Sequence, residues 1–219
     1  MQKHFIQADI KALDKRYRVH FINCLSGFKS ANLVGTRNNA GVPNLAIVSS
    51  VFHLGADPAL MGMVIRPNSV PRDTLTNIQE IGVYTLNHVN SKIYQKAHQT
   101  SARFTPEQNE FNEVGLTEHY ITGFDAPFVA ESHVTIGLRA KEIMPLAINN
   151  TLLVIGEIEH VFVPTNALLD DGFVDIEKLD SVTVSGLDSY HQTNRLGRLS
   201  YAKIGKAVSF LPINLENEQ

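Results

Sequence analysis

Cysteine is nearly missing from this chain: Cys24 is the only one in 219 residues. An intrachain disulfide and a cysteine-based zinc site are both excluded. Lying in an apolar run, Cys24 reads as a core residue rather than a reactive thiolate. Tryptophan is absent altogether, which bears on no function class. No apolar run approaches the length of a membrane span. The opening residues, MQKHFIQADIK, carry no apolar segment of the kind a secretory signal needs. The expectation is a soluble cytoplasmic protein without a membrane partner. Excess charge is lacking too. The net charge is −3 and the pI about 6.3, so no basic patch dominates and nucleic acid is not an expected partner.

Several motifs are also missing. Nothing matches a phosphate-binding P-loop or a glycine-rich dinucleotide fingerprint, and Leu196-Gly197-Arg198 is no substitute. Any nicotinamide cofactor must therefore bind without a Rossmann unit. Ser49, Ser50 and Ser200 lack a G-x-S-x-G setting. His88, His98, His119, His133, His160 and His191 are scattered, with no HxH, HxxxH or HExxH spacing. No metal site and no catalytic side chain is expected.

What is present describes an ordinary globular protein, because 43% of residues are hydrophobic and 19% charged. The length suits one domain over 1–219, with an N-terminal arm to residue 15 and a disordered tail over 214–219. Ile10 and Leu13 are possible packing points in the arm. Tyr17 to Leu25 alternates weakly and reads as the first strand. A turn around Gly27 and a second strand over Ala31–Val34 follow, closed by a hairpin loop over 35–41.

The stretch from Gly41 to Asn87 is the densest in signals. Asn44 to Phe52 reads as a strand that turns polar at Ser49-Ser50, where small side chains let a flat ligand approach the main chain. Asp57-Pro58 marks a turn, and Leu60 to Ile65 is a buried strand. The loop from Arg66 to Thr74 carries two arginines, two hydroxyls and two prolines. Leu75, Ile78 and Ile81 then repeat at helical spacing, with Asp73 or Thr74 as the cap. A helix N-terminus beside Arg and Thr is either a solvated turn or an anion site, in which free N–H groups and a guanidinium hold a phosphate. Asn44 either bonds in the same pocket or caps a turn after Pro43. Asn77, one helical turn beyond Thr74, either reaches the same anion or is an exposed helix position. Gly82 ends the helix and Val83–Val89 returns as a strand.

Further along, Ser91–Ser101 reads as a helix with Ile93, Ala97 and Tyr94 inward. A second short helix opens at Thr105-Pro106-Glu107 and ends by Gly115. Ala126–Ala130, Val134–Met144 and Leu152–Pro164 read as strands, the last two joined through Asn149-Asn150. Tyr190, His191, Arg195, Arg198 and Tyr201 bring aromatic and cationic groups together, which suits stacking on a flat ring or a subunit interface. Strands joined by short turns, with helices inserted twice, favour a barrel over a doubly wound α/β fold.

The pattern N-L-A-x-x-S-S-x-F, then D-P-A, then R-P-x5-D-T-L-x-N-I-x-E-x-G-x-Y-x-x-N resembles the flavin reductase-like group of FMN-binding split-barrel proteins. Glu110-Phe111 with Gly115-Leu116-Thr117, Pro127 to Ser132, and Ile155 to Ile158 continue it. The resemblance implies an antiparallel split β-barrel with flanking helices and a homodimer with flavin near the interface. It implies FMN reduced by NAD(P)H, with electrons passed to an acceptor protein or to oxygen. The residues expected at the cofactor are Asn44, Ser49, Ser50, Val51, Arg66, Ser69, Arg72, Thr74, Asn77, Tyr190, His191 and Arg198, with His191 the candidate nearest the ring. Two alternatives stay open: a flavin carrier without its own NAD(P)H site, and a split-barrel protein holding another ligand such as heme.

Overall fold

A computed structural model describes residues 1–67, 73–105 and 107–213. Two helices open the chain, α1 (Gln7–Ala12) and α2 (Lys15–Leu25). The predicted strand over Tyr17–Leu25 is therefore a helix. The carboxylate of Asp14 caps it, accepting the N–H groups of Arg16 and Tyr17 at 2.9 and 3.1 Å. Neither helix has a buried residue. Ile10 and Leu13 are half-buried at most, and Cys24 is exposed rather than in a core.

The strands that follow are β1 (Lys29–Ser30), β2 (Asn32–Arg37), β3 (Pro43–Val48), β4 (Val51–Ala56) and β5 (Ala59–Ile65). Helix α3 (Asp73–Ile81) leads to β6 (Val83–His88), and α4 (Tyr94–Gln99) to α5 (Glu110–Val114). Next come β7 (Glu118–Ile121), β8 (Phe124–Val129), β9 (Thr135–Leu146) and β10 (Thr151–Phe162). The last elements are β11 (Thr183–Ser185), β12 (Ser189–His191), β13 (Arg198–Leu199) and β14 (Phe210–Leu211). Helix α5 starts at Glu110, capped by the Asn109 side chain, and not at residues 105–107 as predicted. Pro106 and the tail over 214–219 lie outside the described residues.

Seven strands form one antiparallel sheet in the order β3-β2-β6-β9-β10-β5-β4. Its two edge strands are consecutive in the chain, so the predicted strand over Asn44–Phe52 is two strands at opposite edges. The step from Val48 to Val51 spans at most about 11 Å. A flat sheet of this size measures roughly 29 Å across. The sheet must curl until its two edges approach at this corner, and Ser49-Ser50 is the seam of the resulting barrel, although β3 and β4 do not pair among the described residues. Beside it, the Ser50 hydroxyl donates to the Val64 carbonyl of β5 at 2.7 Å, extending the β4–β5 ladder by one residue. The expected antiparallel barrel with helices outside it is the fold.

Val34, Met63, Tyr84, Leu86, Leu138 and Val154 fill the interior, and α3 adds Leu75 and Ile78 to the same cluster. Each such side chain contributes about 1.5–3 kcal/mol by leaving water. Outside, α4 and α5 lay Ile93, Ala97, Phe111 and Val114 over Leu33 and Leu45. Strand β2 is thus buried on both faces. The β7–β8 hairpin, whose first strand sequence reading missed, packs Phe124 and Phe128 against Val83. Gly35 permits that approach, since a Cβ there would sit 2.1 Å from the Pro127 carbonyl oxygen. Among the described residues, no helix is long and apolar enough to cross a membrane.

Candidate functional site

Strands β2 and β3 pair so that Thr36 and Asn44 stand directly opposite each other. Helix α3 lies against both strands and brings Thr74 and Asn77 to the same spot. The Asn44 side-chain amide donates one N–H to Thr36 Oγ1 at 3.2 Å and the other to Thr74 Oγ1 at 3.0 Å. The Asn77 amide donates to Thr36 Oγ1 at 3.1 Å. Thr36, Asn77 and Asn44 are 0%, 3% and 8% exposed, so this is a buried polar network and Asn77 is not the exposed helix residue its alternative reading made it. Three buried polar side chains are tolerated because each is hydrogen-bonded. Thr36 was not singled out from the sequence.

Asp73 and Thr74 occupy the first turn of α3 itself. Thr74 is half-buried. Its oxygen accepts from Asn44, so its own proton is free to be donated elsewhere. Arg66, immediately after β5, is exposed and has no hydrogen bond or ion pair among the described residues. Ser50 bonds to Val64, two residues before Arg66, so the seam and the start of this segment adjoin. Ser49 and Val51 flank Ser50, half-buried, and the Val51 carbonyl accepts from Ser30 Oγ at 3.3 Å. Ser69 and Arg72 lie outside the described residues. Asn44 and Ser49 are five residues apart on one extended run, about 17 Å, so a ligand touching both ends must be long.

A cavity of about 240 Å³ opens on the other flank of α3, lined by Asn44 and Asn77 and by the carboxylates of Asp73, Glu80 and Glu110. Thr74 does not line it. Burial pushes the Glu110 carboxyl above its ordinary pKa and the charge of Asp73 adds to this, while the N–H groups it accepts, including that of Leu45 at 3.1 Å, pull the other way. The sign of this cavity is wrong for a phosphate. Among the described residues no cluster of His, Cys, Asp or Glu is arranged to hold a metal.

The late residues fall into separate clusters. The Tyr190 hydroxyl lies 3.0 Å from His98 Nδ1, and its ring is 5.5 Å from that of Tyr94. His191 Nε2 lies 2.8 Å from Ser185 Oγ, and its ring is 4.8 Å from Phe28. Arg198 pairs with Asp171 at 2.5 Å and stacks over Phe173 at 4.0 Å. Arg195 holds Asp175, and its hydrogen bond holds the Asp175 carboxyl below the ordinary carboxylate range. Among the described residues no hydrogen bond, ion pair or ring contact joins Tyr190, His191 or Arg198 to the network around Thr74. Asn44, Thr74 and Asn77 therefore come together, and Ser49, Ser50 and Val51 share the seam with the start of the Arg66 segment; of the late residues, His191 lies two strands from Ser30, whose hydroxyl donates to the Val51 carbonyl, while Tyr190 and Arg198 are engaged with other partners.

Residues 26–176 match the flavin reductase like domain. The chain is 53% identical to a candidate flavin reductase with a split barrel domain from Shewanella frigidimarina NCIMB 400, with a TM-score of 0.89 over 92% of this chain and 100% of that one. It is 25% identical to the flavoredoxin of Desulfovibrio vulgaris (Miyazaki F), with a TM-score of 0.68 over 83% of this chain and 93% of that one. Component B of nitrilotriacetate monooxygenase from Bacillus cereus shares the fold, at 17% identity and a TM-score of 0.80 over 90% of this chain and all of that one. By sequence and by fold, the chain belongs to the flavin reductase like family.

Proposed function

We propose that this protein binds FMN and works as an NAD(P)H-dependent flavin reductase-like oxidoreductase, as a homodimer of one domain per chain in the cytoplasm, where reduced nicotinamide is supplied. The observation that carries the FMN reading is the meeting of two features, brought side by side by the Ser50–Val64 hydrogen bond. One is the small-residue seam at Ser49-Ser50, and the other is the Arg66–Thr74 segment, in which Arg66 has no hydrogen bond or ion pair among the described residues and Thr74, accepting from Asn44, keeps a proton to donate. A flat ring suits the first and a phosphate suits the second. When bound, the flavin supplies the redox chemistry, accepting a hydride from the nicotinamide and releasing electrons to an acceptor.

The chain's own residues bind and orient. The seam presents backbone groups of Ser49, Ser50 and Val51 to the ring and ribityl chain. Arg66 and Thr74, with Ser69 and Arg72 between them in sequence, anchor the phosphate. The acidic cavity on the far flank of α3 repels a phosphate and so favours the loop side. Tyr190, His191 and Arg198 serve a partner's site or the dimer contact better than their own chain's site, because each is already engaged apart from the Thr74 network.

Exposed apolar groups support the dimer. Tyr17, Ile22 and Leu25 on α2, and Phe28 beyond it, lie open to solvent, as do Leu199 and Phe210 on the β13–β14 hairpin. A two-stranded hairpin with an apolar surface is marginal alone in water. The similarity to a flavoredoxin favours a second reading, a flavin carrier without its own NAD(P)H site.

One purified preparation tests these readings together. It should be yellow, run as a dimer by light scattering at micromolar concentration, and bleach on anaerobic addition of NADH or NADPH. A yellow protein that no nicotinamide bleaches is the carrier. A colourless protein that takes up no added FMN, or a flavin-loaded monomer, overturns the corresponding part of the proposal.

A further inference from the structure

The buried network under α3 does more than attach a helix. Thr36, Asn44 and Asn77 lie on three different elements and are at least nine-tenths buried. An apolar trio of similar volume would hold α3 to the sheet equally well, without the risk of an unmade hydrogen bond. What a polar trio can do, and an apolar one cannot, is fix the direction of a hydrogen bond. The Asn44 amide has two N–H groups. Thr36 Oγ1 takes one at 3.2 Å, and that leaves the other for Thr74 Oγ1 at 3.0 Å. Asn77 donates to the same Thr36 oxygen at 3.1 Å, so this oxygen faces two amide donors. An oxygen in that position holds the amide of Asn44 with its nitrogen, and not its carbonyl, toward the threonines. Thr74 must then accept from Asn44, and its own proton points away from the network.

We propose that Thr36, acting through Asn44, sets the Thr74 hydroxyl as a donor toward an anionic group held at the start of α3, and is a positioning residue for the flavin phosphate. The proposal rests on the FMN reading above. It recasts Asn44 and Asn77, expected from sequence as ligands, as supports. It also separates the two oxygens in the network: Thr36 is sealed, while Thr74 is half-buried. The ligand chemistry it specifies is an acceptor-only oxyanion, because a hydroxyl ligand could bond Thr74 in either direction and would gain nothing from the fixed polarity.

The test compares FMN with riboflavin by equilibrium titration, in the wild type and in Thr36→Val and Thr36→Ser. Valine keeps the shape and removes the hydroxyl, and serine restores it. The wild type should prefer FMN over riboflavin. Thr36→Val should shrink that preference about tenfold with riboflavin affinity unchanged, and Thr36→Ser should recover it. A merely structural role would lower both affinities together along with the melting temperature, and that outcome overturns the proposal. Should Thr36→Val fail to fold, Thr36→Ser with Asn44→Ser gives the same comparison, since shortened Asn44 cannot reach Thr74. A wild type that binds riboflavin as tightly as FMN sinks the phosphate reading itself, before any variant is considered. A wild type that discriminates, with Thr36→Val discriminating equally, sinks the Thr36 proposal alone.

Discussion

His88 shows how a single side chain ties stability to pH. It ends β6, with Nδ1 3.0 Å from Ser181 Oγ, and burial lowers its pKa from 6.5 to about 4. The folded state therefore resists protonation while the unfolded chain takes a proton near pH 6.5. Its contribution is full above that value and is lost as pH falls toward 4, amounting to no more than roughly 3 kcal/mol. Urea unfolding of the wild type and of His88→Asn between pH 7 and 4.5 should give curves that converge as pH falls. Parallel curves would show that His88 titrates alike in both states. Residue-scale facts of this kind are the least legible in sequence. Nothing local marks His88 as buried, or Cys24 as exposed, because each depends on what other elements cover. Thr36 was partly legible: a hairpin turning near residue 40 places residues 36 and 44 opposite each other. Asn77 was not, since its partner lies 41 positions away.

At the scale of elements, the open edge of the barrel is guarded by side chains. Strand β3 pairs with β2 on one side only. Two of its outward N–H groups are met by side chains, that of Leu45 by Glu110 at 3.1 Å and that of Ile47 by the Thr100 hydroxyl at 2.9 Å. An unpaired edge invites pairing with another chain, so α4 and α5 close it. Glu110→Ala should cost about 1–3 kcal/mol by leaving the Leu45 N–H buried and unmet. Glu110→Gln keeps an acceptor and should lose less than half of that. Equal losses in thermal or urea unfolding would show that the carboxylate, and not the hydrogen bond, matters. Helix α3 was legible from the helical spacing of Leu75, Ile78 and Ile81, and the long strands β9 and β10 from apolar runs joined through Asn149-Asn150. Helix α2 was not. Its sequence KRYRVHFINCL is rich in β-branched and aromatic residues, it buries nothing in its own chain, and its cap at Asp14 was the one signal against a strand.

For the whole molecule, the barrel's closure brings the candidate residues Ser49, Ser50 and Val51 to its seam. Two residues carry the chain from one sheet edge to the other, and Ser50 in that step bonds to Val64, two residues before Arg66. The order of motifs along 41–87 made this region legible before its geometry was. The partners of the late aromatic and cationic residues within the chain were not legible, because composition shows that groups are near in sequence but not which neighbour holds them. The proposed phosphate anchor in the Arg66–Thr74 segment turns on Arg72. Arg72 directly precedes α3 in the chain and lies outside the described residues, so its role rests on sequence and chemistry. Equilibrium titration of the wild type and Arg72→Ala with FMN and riboflavin measures it most directly. Charge-assisted bonds of roughly 1.5–3 kcal/mol predict that Arg72→Ala weakens FMN binding about tenfold to a hundredfold and leaves riboflavin binding unchanged. Equal affinities for the two flavins in the wild type, or equal losses for both in the variant, would contradict the account.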